Sequence, residues 1–127
     1  MSFFVRARFD VRDGRQAEFE EAALALRTQA LEEPGTLTYR WFSVVPGSYV
    51  VIEEYVDSDA AMAHNERGAR LLERVGECAE MVSAELHGPV GSWVREWAGA
   101  RPQVTIYPDF PGHADSSCVD AEMNSVR

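Results

Sequence analysis

Lysine is absent from this chain: all 12 basic residues among its 127 are arginine. Schiff-base chemistry and a lysine general base are therefore excluded. Codon composition is the plainest account of that bias. Cysteine is scarce, and Cys78 and Cys118 are too few and too distant to make a disulfide framework, so both read as free thiols. Positive charge is in deficit. A formal net charge of −9 argues against nucleic acid, whose binding needs a basic surface that displaces counterions, and against anionic membrane surfaces. No apolar run has the length needed to cross a bilayer. The first residues, Met1-Ser2-Phe3-Phe4-Val5-Arg6, meet a charge too early for a secretory segment. The expectation is a cytoplasmic protein with no nucleic-acid or membrane partner. Metal-ligand spacing is also missing. His64, His87 and His113 stand 23 and 26 residues apart, with no His-x-His, His-Glu-x-x-His or Cys-x-x-Cys motif. There is no glycine-rich phosphate or dinucleotide loop, because Gly88-Pro89-Val90-Gly91 has the wrong pattern.

What is present suffices for one domain with one core: 46% of residues are hydrophobic and 26% charged. Phe3 to Asp10 alternates, with Phe3, Val5, Ala7 and Phe9 on one face of a strand. Asp13 reads as an N-cap with Gln16 as its partner, opening a helix whose Phe19, Ala23, Leu26 and Ala30 recur at helical spacing until Pro34-Gly35 ends it. Thr36–Val45 and Tyr49–Val56 read as a hairpin around Pro46-Gly47-Ser48. Ser58 is the expected cap of a second helix, bent or interrupted at Gly68. A fourth strand over Met81 to His87, a short helix over Val90 to Ala98 and a brief strand at Gln103 to Tyr107 complete a domain of residues 1–107. Residues 108–127 read as a tail, mobile or lying on a partner subunit.

The order β-α-β-β-α-β predicts an α+β, ferredoxin-like split βαβ fold: a four-stranded antiparallel sheet with both helices on one face. The third strand is apolar on both faces, with Val50, Ile52 and Val56 opposite Tyr49, Val51 and Tyr55. The second adds Phe42 and Val44 opposite Leu37, Tyr39 and Trp41, and the first adds Phe4. Leaving such side chains in water forgoes roughly 1.5–3 kcal/mol each. A second sheet from an identical subunit is the simplest cover, giving a two-fold homodimer, with Arg6, Arg8, Arg40 and Glu54 available for ion pairs around the seam.

Glu53-x-Tyr55-x-Asp57-x-x-Ala60-x-x-x-His64, preceded by Glu33-Pro34-Gly35-x-x-x-Tyr39, resembles the signature of antibiotic biosynthesis monooxygenase domains. Leu86-His87-Gly88-Pro89-Val90 resembles the end of the last main strand in a subset of them, and the likeness spans roughly residues 3 to 107. The resemblance implies a dimeric α+β barrel with a cavity between each sheet and its helices. Members include cofactor-independent oxygenases of quinols and anthrones, haem-degrading enzymes and an isomerase, so fold alone does not choose among reactions. Haem degradation in relatives uses an asparagine in the first strand. Phe3 to Asp10 has none.

His64 falls in line with Ala60, Gly68, Leu71 and Val75 on a stripe facing the sheet. It reads either as a proton acceptor or as a buried histidine satisfied by Glu53 or Tyr55. Glu53, a carboxylate among apolar neighbours, reads either as the group that orients His64 or as half of a structural pair. Tyr39, Trp41, Tyr49, Tyr55 and Phe9 are the expected pocket walls, suited to a planar polyphenol or simply core. His87 is a further candidate near the strand end, and His113 a remoter one. The expected activity is oxidation by O2 of a phenolic, quinol or anthrone-like small aromatic substrate, without cofactor or metal. His64 would be the base, Glu53 its orienter and Tyr55 a hydrogen-bonding group. The alternatives are an isomerase or other proton-transfer enzyme using the same residues, and a non-catalytic dimeric binding or stress protein.

Overall fold

Period-two alternation decides which side of each strand meets the helices. The computed structural model describes residues 1–112, and His113 and Cys118 lie outside them. In chain order the elements are β1 (Phe3–Val11), α1 (Gln16–Leu31), β2 (Thr36–Val45), β3 (Ser48–Tyr55), α2 (Ser58–Arg67), α3 (Ala69–Cys78), β4 (Ala79–His87), α4 (Ser92–Gly99) and β5 (Val104–Tyr107). The sheet runs β2-β3-β1-β4-β5. The first four strands are antiparallel to their neighbours, and β5 lies parallel to β4. The fold is α+β and ferredoxin-like, with one correction: the expected four-stranded antiparallel sheet is a five-stranded mixed one. The short α4 supplies the crossover that a parallel neighbour requires.

The helices cover one face. Phe3, Ala7, Val51, Tyr55, Ala84 and Leu86 are buried there, together with Phe19, Ala22, Ala23 and Leu26 of α1 and Val75 and Cys78 of α3. Cys78 is a buried free thiol. On the opposite face Phe4 is 43% and Phe42 39% exposed. Val50 is buried even in the single chain, flanked across the strands by Arg8 and Phe42. Within that chain Arg6 pairs with Glu85 at 3.7 Å, Arg8 with Asp10 at 3.7 Å, and Glu54 accepts hydroxyls from Ser2 and Thr38. The Arg40 guanidinium sits over the Phe42 ring. Leu37 falls where the β2–β3 register shifts and is exposed rather than facing the core.

Two helix starts differ from expectation. Asp13 lies too far ahead of α1 to cap it, and Arg15 occupies the cap position without a side-chain cap hydrogen bond. The cap of α2 is Asp57, not Ser58, its carboxylate accepting from Ala60 N at 2.9 Å. The break at Gly68 is real, separating α2 from α3. Two glycines set close approaches. A Cβ at Gly35 would lie 2.6 Å from Ala60 Cβ, and one at Gly91 only 2.4 Å from Ser58 Oγ. The start of α2 is thus clasped between the strand that follows α1 and the turn that opens α4.

Gly35→Ala should destabilise the fold by about 1–3 kcal/mol through overpacking against a rigid methyl. Chemical denaturation measures this as a lower midpoint with an unchanged slope.

Candidate functional site

Small residues line the centre of the helix-covered face. Ala7, Ala84, Ala61 and Ala79 leave space between sheet and helices, and the result is a cavity of about 490 Å³. Its walls include Phe3, Val5 and Phe9 of β1, Tyr39 of β2, Glu53 and Tyr55 of β3, His64 of α2, and Trp93 and Trp97 of α4, with Arg101 just beyond. That volume lies within the roughly 300–1,000 Å³ of small-molecule sites.

His64 is buried, 2% exposed. Its Nδ1 lies 2.7 Å from Glu33 Oε1, in the turn between α1 and β2. Glu33 also accepts from Gln29 Nε2 at 2.7 Å and from Thr36 Oγ1 at 2.9 Å. Gln29 Nε2 further donates to the His64 carbonyl at 3.2 Å. Burial alone would raise the Glu33 pKa, but hydrogen bonds from His64, Gln29 and Thr36 outweigh it and hold the carboxyl below its ordinary value. An ionised Glu33 can only accept. It therefore fixes the proton on Nδ1 and leaves the Nε2 lone pair as the ring's basic atom. The Tyr39 and Tyr55 rings flank the imidazole at centroid distances of 5.2 and 5.6 Å.

Glu53 is not the orienter of His64. Its partner is Tyr55, two residues along the same strand face, whose hydroxyl donates to Glu53 Oε1. Burial pushes the Glu53 pKa up, and the Tyr55 hydrogen bond and the proximity of His64 only partly offset this. Burial, reinforced by the charge of Glu53, pushes both the Tyr39 and Tyr55 phenols up. They remain proton donors across the accessible pH range.

Of the other expected residues, Phe9 lines the cavity, whereas Trp41 and Tyr49 do not. Tyr49 stacks on Phe19 and donates to Glu20 of α1. Trp41 packs edge-on to Phe19, in the core beside the cavity. His87 is on the opposite face of the sheet, for alternation separates it from Leu86. There it stacks on Tyr107 and meets Glu85 Oε1 at 3.2 Å. Four contributors escaped the sequence reading. Glu33 stood in the quoted motif without a role, and Trp93, Trp97 and Arg101 carry an i, i+4, i+8 spacing that marks one helix face. Among the described residues no three His, Cys, Asp or Glu side chains gather as metal ligands would, and no helix is long and apolar enough to cross a membrane.

A carboxyl whose folded-state pKa is raised binds more protons folded than unfolded, so its contribution to stability falls as pH rises through and above the ordinary value of 4.5. Glu53→Gln should remove that loss. Its stability relative to wild type should rise between pH 4.5 and 7 in denaturation measured across that range.

Residues 2–85 match the family described as antibiotic biosynthesis monooxygenase. No curated protein matches the sequence. Among solved structures, MupZ from Pseudomonas fluorescens superposes with a TM-score of 0.71 at 19% identity, covering 91% of this chain and 96% of its own. Rv0793 from Mycobacterium tuberculosis gives a TM-score of 0.63 at 23% identity, covering 72% of this chain and 98% of its own. SnoaB, a cofactor-independent oxygenase from Streptomyces nogalater, gives 0.58 at 20% identity over 67% of this chain and 89% of its own. At these identities the likeness is one of fold. With the family match spanning β1 through most of β4, the chain belongs to the antibiotic biosynthesis monooxygenase family.

Proposed function

We propose that the protein is a cofactor-independent oxygenase of a phenolic, quinol or anthrone-like substrate. The observation that carries this reading is the His64–Glu33 pair at the wall of a mostly apolar cavity, flanked by two protonated phenols. Family membership and the cofactor-independent oxygenase SnoaB among the similar folds support it. His64 accepts the acidic proton of the bound substrate, and Glu33 stabilises the imidazolium that forms. The resulting anion is electron-rich enough to reduce O2 itself. For an anthrone methylene the balance closes without another reductant: both C–H bonds are lost, one oxygen atom stays as the new carbonyl and the other leaves as water. Tyr39 serves as the hydrogen-bond donor to the substrate oxygen where negative charge gathers, while the Tyr55 hydroxyl is given to Glu53 and its ring walls the site. The apolar walls exclude water from the anion. An isomerase would use the same base without O2, and oxygen dependence separates the two.

The functional unit in this reading is a homodimer joined through the open face of the sheet, where Phe4, Phe42 and Ile52 lie among Arg6, Arg8 and Arg40. The partial exposure of these apolar side chains supports that arrangement.

Purified protein should turn over an anthrone or dihydroxynaphthalene in air and not under argon. His64→Ala should lower kcat by about 10²–10⁴-fold, and Glu33→Gln should lower it less while leaving KM nearly unchanged. Turnover equal in argon, or unaltered in His64→Ala, overturns the oxygenase reading. Sedimentation at micromolar concentration should give a dimer that Phe42→Asp converts to monomer.

A further inference from the structure

The cavity is chemically lopsided. Its β-strand side and α2 supply one carboxylate, an imidazole and two phenols, whereas its α4 wall supplies only donors. Trp93, Trp97 and Arg101 follow one another at intervals of four residues along that wall, and all three line the cavity. The Arg101 guanidinium lies over the Trp97 ring, 4.5 Å from its centroid, and Nη1 donates to the Trp97 carbonyl at 3.0 Å. These contacts hold the side chain but use one of its five N–H groups. Among the described residues no carboxylate lies within ion-pair distance of Arg101. The one acidic residue that also lines the cavity, Glu53, is engaged by Tyr55. Trp93 makes the same point with a neutral group. Its Nε1 is buried and donates to nothing among the described residues, an unfavourable condition that a ligand's acceptor would relieve.

A cavity wall with a cation and an N–H that no described residue pairs is complementary to oxygen acceptors, one of them charged. We propose that the substrate is an aromatic carboxylate: its carboxylate group is held by Arg101, and a ring oxygen accepts from Trp93 Nε1. The inference rests on the oxygenase reading for the location of the site and adds the class of molecule that fills it. Trp93 stands in the first turn of α4 and Arg101 follows its last residue, Gly99, so the two address different parts of a fused-ring skeleton rather than one group. Trp93 and Trp97 present flat faces between them, which suits stacking on that skeleton. A planar guanidinium matches a carboxylate in geometry as well as charge. The α4 wall also lies beyond residue 85, where the family match ends, so the selectivity belongs to this chain's extension and not to the shared core.

Two probes differing by the carboxylate alone test this: 1,4-dihydroxy-2-naphthoate and 1,4-dihydroxynaphthalene, titrated calorimetrically under argon with the full chain. The carboxylate should bind about 10–100-fold more tightly, the contribution of a charge-assisted hydrogen-bonded pair. In Arg101→Met, which keeps the apolar stem over Trp97, the difference between the probes should collapse to within about twofold. In Arg101→Lys, which keeps charge without the fork, part of the difference should persist. Trp93→Phe should weaken both probes alike. Equal affinities in wild type, or a preference that survives in Arg101→Met, overturn the proposal. The two readings fail separately: if the neutral diol binds and is oxidised in air while the carboxylate gains nothing, the oxygenase stands and the anion site falls. If neither probe binds, both fall.

Discussion

The pairing of β3 between β1 and β2 fixes nearly everything that follows. Its register sets Phe3 opposite Tyr55, Val5 opposite Glu53 and Ala7 opposite Val51, and on the other side Tyr39 opposite Glu53 and Trp41 opposite Val51. Because side chains alternate, that one registration sends Glu53 and Tyr55 under the helices and leaves Ile52 and Glu54 on the bare side. A slip of a single residue would exchange the two sets. Tyr55 buried against Phe3, with ring centroids 5.7 Å apart, and Val51 at 1% exposure make such a slip costly. The polar site rests on the apolar packing around it.

The histidine is positioned from a different direction. It sits on α2, whose start is wedged between Gly35 and Gly91 and whose end is cut by Gly68. Glu33 reaches it from the turn that closes α1, its two carboxylate oxygens tied down by hydrogen bonds from Gln29, Thr36 and His64. A short helix clamped at both ends and a carboxylate clamped by its neighbours hold the base in one orientation. This is the rigidity that proton transfer in a dry cavity demands.

Much of this was legible in the residues. Alternation in Phe3 to Asp10, the turn at Pro46-Gly47 and the stripe leading to His64 gave the element order, the break at Gly68 and a buried imidazole facing the sheet. The errors have physical causes. Glu53 looked like the partner of His64 because both belong to one motif, but it and Tyr55 point the same way from one strand, and the phenol is nearer. Glu33 lay in view, yet proximity between residues 33 and 64 is created by tertiary packing that no local spacing reports. Tyr49 and Trp41 were rightly assigned to the helix-facing side, but α1 brings Phe19 against them and fills the space. His87 misses the cavity because it follows Leu86, which faces the helices, and alternation along β4 turns the next side chain to the other side. The brief strand at Gln103 to Tyr107 was legible, but its parallel pairing with β4 was not, because four residues of strand carry no signal of direction.

That last strand has a wider meaning. The segment from α4 to β5 adds one helix and one strand at the sheet's edge, hydrogen-bonded to β4 and to Gly88 just after it, and packed through Leu86, Val94, Ala98, Val104 and Ile106. It closes one end of the cavity while sharing no hydrogen bond with the histidine or its carboxylate. Such an arrangement uncouples two problems of molecular evolution: the appendage can be lengthened, recharged or exchanged to admit a new guest, and the apparatus that moves the proton is left as it was.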